Sequence, residues 1–460
     1  MINRRQFLSH SCSLGVAAST VGTTLLSLGA ARNAAAQSAG DYRALVCILL
    51  AGGNDSYNML VPSDTSQYGA YAGIRADLAL PQADLLPLSL SNTGARNFGL
   101  HPGMSALQQL VNTGDAAMVA NVGTLLEAFD PVAVENGTAR LPVGLFSHAD
   151  QINQWQTAIA DGRTSKGWGG RIGDLLQSSN LANGVSMNIS LAGTNVFQSG
   201  DDVVGYAIES TGNGAANING YGDAAGFGEY RTRVWDELLA VQQSQVFRRE
   251  FRKRLRDAID TEVVFSDAIS QAPTLNTTFS PGPFSTALNQ IARVISVRDL
   301  LGANRQTFFI TVGGWDHHDE VLDNQAGMLP AIANGLAEFR NALVELGTFD
   351  DVTTFTISDF GRTLTSNGRG SDHGWGGHHI VMGGAVNGGQ LYGDYPLLAP
   401  NAALDVGRGI YAPTTPTEAY FAELALWFGV SPGDLDVVLP NVRTFYTPES
   451  GTPPLGLLTG

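Results

Sequence analysis

An α/β fold, with a central mostly parallel sheet and helices on both faces, is what this 460-residue sequence predicts. Two observations carry that expectation. Short continuous apolar runs of buried-strand type recur along the chain, and stretches of helical periodicity stand between them. The composition agrees, since 43% of residues are hydrophobic and can fill a large core, which excludes a disordered chain. Two cysteines exclude a disulfide scaffold. With 26 Lys and Arg against 42 Asp and Glu, the chain lacks the basic surplus of a nucleic-acid binder, and no nucleic-acid partner is expected.

The first 36 residues stand apart from the fold. Arg4 and Arg5 precede Phe7 and Leu8, an uncharged stretch follows over about 14–31, and Ala34, Ala35 and Ala36 end the segment. A charged start, an apolar middle and a small-residue cleavage site make an export signal of the twin-arginine type. A periplasmic or extracellular protein is therefore expected. The middle is too rich in Ala, Ser, Thr and Gly for a good membrane anchor, and no integral span is expected in the mature chain. Removing three arginines from the 26 basic residues leaves 23 against 42 acidic ones, a net charge of −19, with Cys47 as the remaining cysteine.

The mature chain reads as one α/β domain over 41–450, with a loop-rich and helical insertion at about 179–285. Buried strands are expected at 44–50, 116–122, 307–312, 353–357 and 380–382. Helices are expected at 104–110, 151–159, 288–301 and 328–346, with a closing helix at 419–428. The stretch 179–228 is rich in Gly, Asn and Ser and reads as loops and short strands of a cap or insertion. One long helix follows over 229–269; its Arg248, Arg249, Arg252, Lys253, Arg254 and Arg256 suit a solvated face or an anionic partner.

Ligands of such sheets bind beyond the carboxyl ends of the strands. There the chain places Asp55, Asp316 and Asp359, each following a strand run. Five of the seven histidines outside the leader, His317, His318, His373, His378 and His379, fall within 63 residues, accompanied by Asp319 and Asp372. Asp and His are also ordinary turn residues, but two clusters beside buried strands point to a divalent metal site. Carboxylate oxygen suits Ca or Mg, whereas imidazole favours Zn. Ser147, just before a helical stretch, is either an N-cap or a nucleophile; Ser56 beside Asp55 is its rival. Arg362 is placed to clamp an oxyanion or to pair with an acid.

These residues lie in segments that resemble a bacterial exported family called "domain of unknown function 1501". The segments are Leu-Ala-Gly-Gly-Asn-Asp-Ser-Tyr-Asn-Met-Leu-Val-Pro (50–62), Leu-Phe-Ser-His-Ala-Asp-Gln (145–151), Gly-Gly-Trp-Asp-His-His (313–318), Ser-Asp-Phe-Gly-Arg-Thr (358–363) and Asp-His-Gly-Trp-Gly-Gly-His-His (372–379), together with the leader. That family is similar to the alkaline phosphatase and sulfatase superfamily, which implies a metal-dependent hydrolytic site on a mostly parallel sheet. The resemblance implies a first-strand ligand at Asp55, a nucleophile at Ser147, Asp316 with His318, a strand-end Asp359, and a final histidine at His373 or His378. Phe360 stands where the superfamily has a ligating histidine, and the Asp316–His318 spacing is short. Both departures favour a single metal, held by Asn54 or Asp55 with Asp359 and a histidine.

The function expected from these residues is hydrolysis of anionic phosphate or sulfate esters, on a small molecule or an anionic polymer, with Zn, Ca or Mg as cofactor. The attacking group would be Ser147, Ser56 or a water activated by the metal. The alternative is a non-catalytic binding or surface-assembly protein on a degenerate hydrolase fold, and Phe360 is the residue that favours it. The sequence leaves the oligomeric state open.

Overall fold

The run at 44–50 forms the strand around which the sheet is built, and all seven of its residues are buried. In the computed structural model the described residues are 42–459, apart from 182–183, 216–217, 219–220, 224–225, 243 and 400–401. The segment 1–36, expected to be an export signal, lies outside them. From Tyr42 onward the chain is one compact unit.

The strands of the main sheet are β1 (Arg43–Leu50), β2 (Ala116–Gly123), β3 (Asn188–Ser190), β4 (Tyr206–Ala207), β5 (Arg305–Val312), β6 (Val352–Ser358), β7 (Gly377–Met382), β8 (Leu391–Tyr392) and β9 (Thr415–Pro416). Their order is β8-β2-β7-β6-β1-β5-β3-β4, with β9 beside β2. Each pairing is parallel except those of β7, which runs against both β2 and β6. The sheet is thus mixed and mostly parallel, as expected. Leu50 stands opposite both Val312 and Ser358, so β1, β5 and β6 finish level with one another. The reversal of β7 brings its first residue to the same edge, with Gly377 opposite Val122.

Side-chain alternation along β1 divides the core into two layers. Val46, Ile48 and Leu50 face one cluster, Leu45, Cys47 and Leu49 the other. The first layer is covered by α2 (Ser105–Thr113), α7 (Pro283–Ser296) and α8 (Val321–Glu345), through residues such as Leu107, Ile291 and Leu336. The second is covered by α3 (His148–Thr157), α4 (Trp168–Leu176) and α9 (Thr417–Phe428), through Trp155, Ile172 and Phe421. A short helix, α1 (Thr65–Arg75), packs beside a hairpin formed by Arg362–Ser366 and Ser371–His373.

Two expectations need revision. The stretch 179–228, expected as loops and short strands of a cap or insertion, supplies its short strands β3 and β4 to the main sheet, parallel to β5, and so extends the sheet edge. The single helix expected over 229–269 is two helices, α5 (Gly228–Ala240) and α6 (Val246–Ser270). Val241 adopts an extended conformation with ψ 121° and ends α5, while Gln245 caps α6 with its side chain. The apolar series is interrupted there, since Ser244, Gln245 and Arg248 hold the helical-face positions between Val241 and Phe251, and that gap is the sequence mark of the break.

Candidate metal centre

The level ends of β1, β5 and β6 bring three loops together, and the reversed β7 adds a fourth. Gly52, two residues past β1, donates its N–H to Asp359 Oδ1 at 3.0 Å. Only a glycine suits that position: its φ is 121°, and a Cβ there would stand 2.5 Å from the backbone nitrogen of Asp316. The hairpin before β7 pairs Arg362 directly with His373. His148 is the first residue of α3, and its ring reaches the same loops.

His148 Nδ1 lies 2.6 Å from Asp359 Oδ2, and His373 Nδ1 lies 2.8 Å from the carbonyl oxygen of Phe146. A carboxylate and a carbonyl only accept, so both Nδ1 atoms carry the proton and both Nε2 atoms present lone pairs. His318 Nδ1 likewise faces Asp372 Oδ1, at 3.2 Å. The Nε2 atoms of His318 and His373 face each other at 2.9 Å. Asp316 stands among them, with its oxygens 3.5 Å from His148 Nε2, 3.1 Å from His318 Nε2 and 3.5 Å from His373 Nε2. Lone pairs converge here without a proton donor between them. A cation, either a proton or a metal ion, is what such a set holds.

His148, Asp316 and His373 offer ligand atoms that all lie within 4.8 Å of one another, the one such group among the described residues. Asp316 is 48% exposed and His318 46%, so the group opens to solvent on one side. Burial pushes the Asp316 carboxyl up, but the Arg362 guanidinium with His148 and His318 outweighs this and holds it below the usual carboxylate range. Burial lowers His373, with the Arg362 charge acting in the same direction. Both shifts keep the groups in the form that ligates a metal. Phe360 forms the floor, its ring centroid 4.8 Å from that of His148 and 4.6 Å from that of His373.

The expected site residues divide into two sets. Asp316, His318, His373, Asp359 and Arg362 come together, and Asp359 acts through His148. Arg362 is fully buried and does not face an incoming anion. It donates to the carbonyls of Gly53 and Ser371 at 2.9 Å and of Gly52 at 2.6 Å, and pairs with Asp316. Its donors tie the loops together and orient Asp316.

Asp55, Asn54 and His378 are buried elsewhere. A turn from Asp55 to Asn58 folds the chain under the loops, and the Asp55 carboxylate pairs with Arg75 and accepts from Ser371 Oγ at 2.6 Å. The Asn54 side chain lies against Met59 Sδ, at 3.6 Å. His378 stacks on Tyr395 with its Nδ1 accepting from the Asn121 N–H at 3.0 Å, and burial drives it down to about 3. Ser56 is sealed in the core, its hydroxyl accepting from the His378 N–H at 2.9 Å. Ser147 occupies the N-cap position of α3 without a side-chain capping bond.

The sequence reading did not single out His148. Its signals were its place in the segment 145–151 that carries the resemblance and its position next to Ser147 before a helical stretch. The carbonyl of Phe146 left no signal at all, because it depends on a positive φ of 73° at a non-glycine residue.

Among solved structures the chain is similar to "Ps i-CgsB in complex with k-i-k-neocarrahexaose", with 10% identity over 88% of this chain and 78% of that chain and a TM-score of 0.33. For "Ps i-CgsB" the identity is 11% over 89% and 77%, with a TM-score of 0.35. For the lipoteichoic acid synthase LtaP from Listeria monocytogenes it is 9% over 86% and 75%, also with a TM-score of 0.35. No curated protein matches the sequence. Residues 236–408, the span that holds Asp316, His318, Asp359, Arg362 and His373, match the family described as "Protein of unknown function (DUF1501)".

Proposed function

We propose that this chain is an exported hydrolase of anionic esters, phosphate or sulfate, that uses one divalent metal ion held by His148, Asp316 and His373. The observation that carries the reading is the convergence of their ligand atoms within 4.8 Å, with both imidazole tautomers fixed from behind. Two nitrogens and one carboxylate suit zinc better than calcium or magnesium, and three protein ligands with an open side are the pattern of a catalytic site. Such an ion supplies Lewis acidity and offsets the charge of an anionic ester.

The chain's own residues do the rest. Asp359 and the Phe146 carbonyl hold the two rings in place, and Arg362 holds Asp316. His318, exposed and bonded to Asp372, is the group that gives or takes a proton at Nε2. Ser147 adjoins His148 with its hydroxyl free of helix capping, and it is the attacking group of this reading. Phe360 favours a second reading, a binding protein that keeps the ion without turnover.

The test is elemental analysis of the full chain purified without chelator, followed by assay on aryl phosphate and aryl sulfate. Expected are about one equivalent of a zinc-like ion, its loss from the His148→Ala, His373→Ala variant, and turnover that Ser147→Ala abolishes. Retention of the ion without turnover would leave the binding-protein reading. A wild-type chain that takes up no ion from excess zinc would refute both.

A further inference from the structure

The hairpin of α5 and α6 stands apart from every element that builds the metal centre. Among the described residues from 229 to 258, none is buried. Yet this stretch is not a uniformly polar pair of helices. Phe247 is 81% exposed, Phe251 68%, Val246 62% and Leu238 57%. Helices of this length gain most of their stability by burying an apolar face, and here that face has no cover.

Position along α6 decides what would cover it. Phe247, Phe251 and Leu255 repeat at four-residue spacing and make one stripe, which lines a groove against Trp235, Leu238 and Leu239 of α5. Arg248 and Arg252 border the stripe in that groove. Some of the basic residues are committed within the hairpin. Arg252 donates to the carbonyls of Leu239 at 3.1 Å and Val241 at 3.0 Å, Arg256 pairs with Asp236 and Asp260, and Arg254 with Glu250. Among the described residues, Arg248, Arg249 and Lys253 pair with no carboxylate.

The segment from Val246 to Arg256 holds six basic residues and one acid, in a chain whose net charge is −16. A two-fold pairing of hairpins would set these cationic segments against each other. An anionic bilayer offers an apolar layer for the phenylalanines and phosphate for the arginines, at the depths where such side chains place them. Among the described residues no helix is long and apolar enough to cross a membrane, so the geometry is that of a helix lying in the interface.

We propose that the α5–α6 hairpin is a peripheral docking element for anionic lipid bilayers, inserting Phe247 and Phe251 at the headgroup boundary with Arg248, Arg249 and Lys253 on lipid phosphate. It does not rest on the metal reading. The test is flotation of the full chain with vesicles of phosphatidylcholine alone and of equal parts phosphatidylcholine and phosphatidylglycerol. Expected is capture by the anionic vesicles only, with release at high salt. Phe247→Ser with Phe251→Ser, and separately Arg248→Glu with Arg249→Glu and Lys253→Glu, should each weaken capture by about tenfold or more. Both variants should keep the wild-type circular dichroism, because none of these side chains is buried. Three results would overturn the proposal: no capture, capture that neither variant changes (the N-terminal apolar segment then binds), or a wild-type dimer that the phenylalanine variant dissociates.

Discussion

Arg75 and Asp55 are both fully buried and pair directly, a costly arrangement that the surrounding bonds offset. Arg75 also donates to Asn58 Oδ1 at 3.0 Å and to the Thr363 carbonyl at 2.9 Å, so it joins the turn after β1 to the hairpin that carries Arg362 and His373. Gln325 adds a donor to the Asp55 carbonyl, at 2.8 Å. Removing the cation alone strands a buried carboxylate. We expect Arg75→Met to destabilise the fold by about 3–5 kcal/mol, measured by urea unfolding, and Asp55→Asn combined with it to recover part of that loss. A single variant within about 1 kcal/mol of wild type would show that the pair is not a structural clamp. The sequence read Asp55 as a ligand because an acid after a buried strand has two uses, coordinating an ion or pairing with a buried cation. Arg75 lies 20 positions further on in an amphipathic stretch, and nothing local marks it as the partner.

Among the elements, the turn after β1 carries the clearest prediction. Gly52 brings its N–H to Asp359 and its Cα against the backbone of Asp316. Gly52→Ala should therefore displace the Asp316 loop, lower the melting temperature and weaken metal retention, whereas Gly73→Ala, on the open face of α1, should do neither. A Gly52→Ala protein that holds its ion as tightly as wild type would show that the close approach does not position Asp316. The strands of the sheet centre were legible because β1, β2, β5 and β6 are apolar runs flanked by turns. The two-residue strands β8 and β9 were not, since so short a strand forms only where a neighbour is already in place. Asp316, Asp359 and His373 could be read from loops at strand ends. That Asp316 and His373 converge with His148 while Asp359 bonds to its Nδ1 from behind could not, because it depends on which way each loop turns.

At the scale of the whole molecule, stability should depend on pH through two buried imidazoles. Burial drives His378 and His379 from 6.5 to about 3. Between those values the unfolded chain binds more protons than the folded one, so stability is complete above about 6.5 and declines as pH falls towards about 3. Two such groups give a slope of up to about 3 kcal/mol per pH unit. Burial raises the Glu418 carboxyl to about 7, so the folded chain takes up a proton there and opposes the two imidazoles over the same range. Urea unfolding of a Glu418→Gln variant just below neutral pH should therefore show the imidazole slope, and adding His379→Gln should roughly halve it. A flat profile there would mean that these rings are reached by solvent or already protonated.

The placement of β1 also bears on how the chain is made. Its two partners, β5 and β6, start at Arg305 and Val352, so the apolar strand at Arg43–Leu50 leaves the ribosome long before either exists. Until then it is an unpaired β-prone segment of the kind that nucleates aggregation. The central strand of the finished sheet is thus the segment that waits longest for its neighbours during synthesis, and the one that a holding chaperone would need to shield.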